Sequence, residues 1–271
     1  LGKAMLYGQQ KQNSKTTGQQ ELFENKSETF SVKHDDTRSE SRVEDTIDSR
    51  LRALTLEKKV IGFYLSGHPI KEYQDEINSM SIKSIASYFE KLYSADIDDD
   101  FSEHGTISGV ITSIRSQRMG KDKFINILTV DDSTHRLEII LFSDVYEKYR
   151  NLIKENEILF FSGVIAMDDY NGDLSMKATK VIDMDSARQQ YSKEIELFIL
   201  PEHINDNILA KIVSLLEPHK NGKCPLTIKC LSNQHIVPLE LNSEWLINPS
   251  SALVNGLTDL LGKENIIVKY E

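Results

Sequence analysis

Apolar residues are unevenly spread along this chain, and the unevenness divides it. From Gly8 to Ser49 most positions are Gln, Asn, Ser, Thr, Lys, Asp or Glu. Such a stretch buries too little apolar surface to offset the entropy of ordering it, so residues 1–44 are expected to be a disordered linker. In residues 45–100, the positions Ile47, Leu51, Leu54, Ile61 and Leu65, with the aliphatic stem of Lys58, recur at three- and four-residue steps and predict an amphipathic helix. That helix is expected to stop at Ser66-Gly67-His68-Pro69, because Gly suits a C-terminus and Pro disfavours helix before it. Helical spacing resumes over Tyr73, Ile77 and Met80. The acidic run Asp96–Asp100 reads as an exposed connector.

The rhythm then changes to that of strands. Residues 101–188 hold apolar runs at Ile107–Ile114, Phe124–Val130 and Leu137–Leu141, with Asp131-Asp132-Ser133-Thr134 as a tight turn between the second and third. Ser143 is placed to cap a short helix carrying Val145, Tyr146, Tyr149 and Leu152. Two more strands follow, Ile158–Met167 and Leu174–Met184, joined through Asn171-Gly172, a hairpin signal. Strand, strand, strand, helix, strand, strand is the order of an all-β five-stranded OB barrel. Residues 189–271 read as strand, helix, strand, strand, helix, strand: Ile195–Leu200, Pro201–Leu216, Pro225–Leu231, Ile236–Leu241, Ser250–Leu261 and Ile266–Tyr270. This is a small α+β domain of split β-α-β type. The fold class is therefore multidomain: linker and helical segment, OB barrel, then a β-α-β-β-α-β unit. Trp245 falls in a connection before the last helix, where it either wedges between helix and sheet or anchors a partner.

Composition changes this picture only in places. The net charge of −10 over 271 residues excludes strong, indiscriminate nucleic-acid binding, so any such contact must be local. No apolar run is long enough to span a membrane, and the N-terminus lacks the layout of a secretion signal. Cys224 and Cys230 fall in one strand-like run and read as small strand residues in a reducing cytoplasm. A first residue of Leu rather than Met is expected of a fragment of a larger protein, or of a processed product. Catalytic arrangements are missing from the sequence: no phosphate-cradling Gly loop, no Gly-x-Ser-x-Gly, no His-Glu-x-x-His. His68 reads as part of a helix stop, and the paired Asp residues at 131–132 and 168–169 as turn residues.

Two stretches carry binding chemistry. The loop after the first barrel strand holds Arg115, Arg118, Lys121 and Lys123, followed at once by Phe124. Cations beside an aromatic at an OB rim suit the phosphates and bases of a single strand. The opposite rim, with Asp168, Asp169 and Asp173, opposes tight binding. The second stretch is Gln19-Gln20-Glu21-Leu22-Phe23, an apolar pair in a polar linker. It resembles the sliding-clamp-binding motif of bacterial replication proteins, in which Gln19, Leu22 and Phe23 would be the contact residues.

The nonapeptide Gly62-Phe63-Tyr64-Leu65-Ser66-Gly67-His68-Pro69-Ile70 resembles the segment before the OB domain in the alpha, catalytic, subunit family of bacterial DNA polymerase III. Leu137–Phe142, Asp183–Arg188, Leu216-Glu217-Pro218-His219, and Trp245 with Pro249-Ser250 match that family in order and spacing, closest to its proteobacterial members. The resemblance implies the non-catalytic C-terminal region of a cytoplasmic replicative polymerase. It would be tethered to the sliding clamp, to single-stranded template and, through residues 189–271, to the clamp-loader tau subunit. It implies no cofactor in this stretch, with magnesium held by an upstream palm domain. Two departures stand out: Glu24-Asn25 follow Phe23 where relatives often have Gly, and residues 264–270 lack the Gln-led second clamp-like motif of some relatives. Other readings are the anticodon-binding OB region of a class II aminoacyl-tRNA synthetase, whose ATP-binding motifs residues 189–271 cannot hold, and a stand-alone single-strand-binding module.

Overall fold

A computed structural model of the chain describes residues 47–94, 101–119, 124–168, 172–200, 206–232, 235–241 and 243–270. The clamp-like motif at Gln19, Leu22 and Phe23 lies outside them. Helix α1 spans Ile47–Ile61 and is followed by a 3-10 turn at Pro69–Tyr73 and helices α2, Gln74–Ser79, and α3, Ile85–Ser94. α1 ends earlier than expected. Gly62 takes φ +93°, which only Gly adopts without strain, and its N–H closes on the Lys58 carbonyl. The segment after it folds back, because Glu57 Oε1 accepts from the N–H groups of Leu65 and Ser66. Leu65 therefore leaves the helical stripe and is exposed, while Leu54 is buried. Lys58 reaches the barrel and donates to Asn156 Oδ1 at 2.7 Å.

Five strands close into a barrel in the order β1-β2-β3-β5-β4: β1, Ser102–Arg118; β2, Phe124–Asp131; β3, Arg136–Phe142; β4, Ile158–Met167; β5, Leu174–Ile182. β1 is long enough to pair with both neighbours. Its first half runs antiparallel to β4 and its second half to β2, with a bulge between Ile111 and Ser113 where it turns from one to the other. A parallel pair, Ile139 beside Met176, completes the closure. Gly163 permits the tight β4–β5 corner, since a Cβ there would stand 2.1 Å from the Lys177 carbonyl oxygen. The barrel interior holds Ile107, Ile111, Leu128, Ile139, Leu141, Phe161, Ile165 and Met176, all essentially inaccessible to solvent. Helix α4, Ser143–Tyr149, sits between β3 and β4 and packs Val145, Tyr146 and Tyr149 on this core. Ser143 is its first helical residue rather than its cap; the hydroxyl donates to the Phe124 carbonyl at 2.6 Å.

An unanticipated helix, α5, Met184–Tyr191, follows β5 directly. Asp183 caps it by accepting from Ser186 N–H. The boundary drawn at residue 188 from sequence falls inside this helix. Beyond it come β6, Ser192–Ile199; α6, Asp206–Leu216; β7, Lys220–Cys224; β8, Leu226–Ser232; β9, His235–Glu240; α7, Ser251–Leu261; and β10, Ile266–Tyr270. The sheet order is β10-β6-β8-β9. α7 starts on the Ser250 side-chain cap and ends at Gly262, as the sequence predicted. Cys224 and Cys230 lie on two strands, not one. β7 ends at Cys224 and pairs by bridges to Ile247, and Pro225 separates it from β8. Both thiols are free, and burial pushes that of Cys224 up. Trp245 is half-buried against this unit's core, with Lys220 Nζ 3.6 Å from its ring centroid.

A buried arginine joins the parts. Arg188, whose side chain is 5% exposed, places Nε and Nη2 on the Glu76 carboxylate at 2.7 and 2.8 Å and Nη1 on Ser251 Oγ at 2.5 Å. Tyr270 donates to the same Glu76, and Asp185 accepts from Ser251. Burial alone would lower the Arg188 pKa; its carboxylate and tyrosine partners outweigh that and fix the guanidinium as a cation. α2, α5, α7 and β10 thus share one charged node, beside a small core of Ile70, Ile77, Met80, Phe160 and Ala187.

Candidate nucleic-acid interface

Alternation along the barrel strands puts one set of residues in the core and the other outside. Register then aligns the outer set in rows across neighbouring strands. Gln117, Ile125 and Phe142 form one row. Arg115, Ile127, Ile140 and Lys177 form the next, with a cation at each end of an apolar pair. Ser113, Thr129 and Glu138 form the third, and Ser113 Oγ donates to Thr129 Oγ1 at 2.9 Å. Phe142 and Phe124 are each nearly half exposed, and Met119, just past the end of β1, is more than half exposed. Arg118 lies over the Phe124 ring, 6.0 Å from its centroid.

Of the residues expected to bind a single strand, Arg115 stands in these outer rows, whereas Arg118 and Phe124, paired opposite each other at the strand ends, belong to the alternate phase and lie at the rim beyond the core. Lys121 and Lys123 lie outside the described residues. Arg115 does not point unopposed into solvent: its Nη2 contacts both Glu138 oxygens at 2.6 and 2.7 Å, across β2. Both side chains are about half exposed. Such a surface pair contributes only about 0–1 kcal/mol, so an incoming phosphate can displace the carboxylate. Sequence reasoning missed Phe142 and Lys177. The signal for Phe142 was its phase: it is two residues beyond Ile140, on the outward positions of β3.

The far end of this face is acidic and braced. Asp168 N–H donates to the Asp173 carbonyl at 2.8 Å, closing the β4–β5 loop. In the β2–β3 turn, burial pushes the Asp131 carboxyl up. His68, Arg136 and the Ser133 N–H outweigh it and hold the group well below the usual carboxylate range. His68 Nε2 stands 3.3 Å from Asp131 Oδ1, and its Nδ1 accepts from Ile70 N–H. The segment thought to stop a helix thus also clips that helix to the barrel. Among the described residues, no grouping of three or more His, Cys, Asp or Glu side chains could hold a metal ion.

Residues 106–184, the barrel, match the model of the OB-fold nucleic acid binding domain. Residues 211–262 match the model of the DNA polymerase III subunit alpha C-terminal domain. The DNA polymerase III subunit alpha of Escherichia coli (strain K12) is 31% identical over 218 residues, covering 79% of this chain and 18% of that protein. The chain belongs to the DNA polymerase III alpha family, as its C-terminal region. Similarity extends to the alpha subunits of Vibrio cholerae, 28% identical over 214 residues (79% of this chain, 18% of that one), and Pseudomonas aeruginosa, 25% over 225 (83% and 18%). The chain spans 18% of the length of these alpha subunits. Among solved structures, the second single-stranded DNA-binding protein of Mycobacterium smegmatis aligns at a TM-score of 0.27 and 14% identity, over 33% of this chain and 89% of that one. A superposition that slight carries no weight beside the sequence relationship. Among the described residues no helix is long and apolar enough to cross a membrane.

Proposed function

We propose that this chain is a tethering region of a replicative DNA polymerase, holding single-stranded template on the outer face of the barrel. The observation that carries the reading is the row Arg115–Ile127–Ile140–Lys177, with exposed Phe142 in the neighbouring row and exposed Phe124 at the rim. Cations spaced across an apolar strip match alternating phosphates and bases, and aromatic rings accept any base by stacking. The wider protein's DNA-directed DNA synthesis, and the magnesium ions it would need, belong to the same proposal and lie upstream of this stretch. So do two further contacts: Gln19, Leu22 and Phe23 with the sliding clamp, and residues 189–271 with the clamp-loader tau subunit. Each contact can be weak. On one chain, the first raises the effective concentration of the next, so the polymerase holds on and still recycles.

The anticodon-binding alternative is disfavoured, because the polymerase-family relationship continues beyond the barrel to residue 262.

Changing Arg115, Arg118, Lys121 and Lys123 together to Ala tests the template contact. Fluorescence anisotropy with a labelled oligothymidylate should show weaker binding. The slope of log affinity against log salt should flatten by up to about 0.7 for each phosphate that is no longer neutralised. An unchanged slope would place the strand elsewhere.

A further inference from the structure

Three rings stand in a row at the acidic end of the barrel. α3 carries Phe89 and Tyr93 one turn apart, with centroids 6.5 Å apart and planes 26° from parallel. Phe89 also stacks with His135 from the β2–β3 turn, at 5.1 Å and 23°. Phe89 is half-buried against the barrel core, His135 is exposed, and Tyr93 is 79% exposed. Two hydrogen bonds bolt these separate segments together. Asp132 Oδ2 accepts from Ile85 N–H at 2.7 Å, and Thr134 Oγ1 from Ala86 N–H at 3.2 Å. These bonds hold the start of α3 to the turn, so Phe89 and His135 are brought together before a ligand stacks on them. A pocket of about 280 Å³ beside Phe89 is walled by Arg136, Glu138, Asp168 and Asp173. Glu138 is the residue that holds Arg115, so this pocket is continuous with the strand-binding face.

We infer that the Tyr93–Phe89–His135 row is a stacking platform for an unpaired nucleobase at one end of the bound single strand. This rests on the barrel face being the template site. The chemistry selects a base rather than a phosphate. Exposed, near-parallel aromatic planes accept the face of any base, whereas the acidic rim of Asp168 and Asp173 disfavours backbone phosphate. Arg136, next to His135 and 72% exposed, supplies the nearest cation on the walls. The platform ends the path: the charged stretch runs along Arg118 and Arg115, and the last base turns onto the rings where the backbone can follow no further.

The distinguishing property is insensitivity to salt. A stacked base contributes affinity without releasing counterions, so its loss lowers binding at every salt concentration by the same factor. The experiment uses two oligothymidylates, one with 2-aminopurine at the 5′ end and one at the 3′ end, bound to the full chain. The unaltered chain should quench one of the two probes. Tyr93→Ala should abolish that quenching and weaken binding about fivefold or more with the salt slope unchanged, while Tyr93→Trp should retain both. His135→Ala gives an independent arm that leaves α3 intact. Circular dichroism confirms folding, which an exposed tyrosine should not affect. If the unaltered chain binds no single strand, the template reading and the platform both fall. If it binds, and the four-residue rim change weakens it, but Tyr93→Ala and His135→Ala leave affinity and quenching as they were, the platform alone is refuted.

Discussion

The barrel and the C-terminal unit each present an open sheet surface, and the two spend their charges differently. On the C-terminal sheet, alternation sends Ile195, Leu197 and Ile199 into the core and Glu194, Glu196 and Phe198 to the other side. There Glu196, 6% exposed, receives Lys229 at 2.7 Å and Lys269 at 2.5 Å, while Glu194 receives Lys269 at 3.0 Å and Thr227 Oγ1 at 2.6 Å. Two lysines meet two glutamates, and the local charge sums to zero. The barrel face instead sets one ion pair, Arg115–Glu138, beside exposed Phe142 and Lys177, with exposed Phe124 at its rim. A face that has cancelled its charges offers a phosphate nothing. A face with displaceable charge and open rings is suited to a nucleic-acid strand. The same pleated architecture thus presents two different surfaces according to which residues occupy the outward phase.

The two faces belong to one body only if their units fold together, and Arg188→Ala tests this most severely. Removing the guanidinium leaves Glu76 with only Tyr270 at the junction of α2, α5, α7 and β10, while Asp185 keeps Ser251. Breaking a buried pair in this way should cost on the order of 3 kcal/mol. Trp245 is the chain's single tryptophan and reports the C-terminal core. In urea, its fluorescence and far-ultraviolet circular dichroism should change together in the unaltered chain and separate in the variant. Arg188→Lys should recover part of the stability, since it keeps the charge but not the two-pronged contact. Coincident transitions and an unchanged midpoint in Arg188→Ala would show that the node is not what joins the units.

That node also shows where sequence reading ran out. The barrel was legible because each of its strands is a short apolar run between strong turn signals, such as Asp131–Thr134 and Asn171-Gly172. The last helix was legible because Ser250 and Gly262 mark its ends. α5 was not: its apolar content is slight, and Met184 extends the preceding strand's pattern, so only the Asp183 cap could have announced it. Arg188 then looked like a chain boundary, because nothing local reveals that Glu76 and Ser251 fold onto it from either side. Leu65 looked helical because its spacing fits; the left-handed turn at Gly62 removes it. Of the candidate strand-binding residues, Arg115, Arg118 and Phe124 were proposed from composition. Phe142 and Lys177 were not, since a residue's face depends on register. The pairing of Arg115 with Glu138, 23 positions away, is visible only once β2 lies between them.

A smaller effect should follow from altering the barrel face itself. Phe142→Ala with Lys177→Ala removes one stacking surface and one cation from neighbouring rows. Both side chains are exposed, so stability should hardly change. Single-strand affinity should fall about tenfold, on the order of 1–3 kcal/mol for the stacked base plus one phosphate contact. The salt slope should flatten by about 0.7, and anisotropy titrations at several salt concentrations separate the two parts. Undiminished affinity would mean that the strand does not cross β3, and would confine the site to the β1–β2 rim.

The smallest effect belongs to the C-terminal sheet, and its smallness is the point. Lys269→Ala leaves Glu196 with Lys229 and Glu194 with Thr227, so neither carboxylate is stranded. The cost should be small, as for other exposed ion pairs. Its pH dependence has a definite sign. Lys229 and then Lys269 hold the Glu196 carboxyl below its ordinary range, and Thr227 and then Lys269 do the same for Glu194. A depressed carboxyl stabilises the fold above its unfolded pKa of about 4.3, and that stabilisation is lost as pH falls through the lower, folded value. The variant should therefore differ from the unaltered chain at neutral pH and converge on it in acid, as read from thermal unfolding followed at Trp245. Single-strand affinity and its salt slope should be the same in both. A change in either would mean that Lys269 meets phosphate, and that the neutral face takes part in holding the strand.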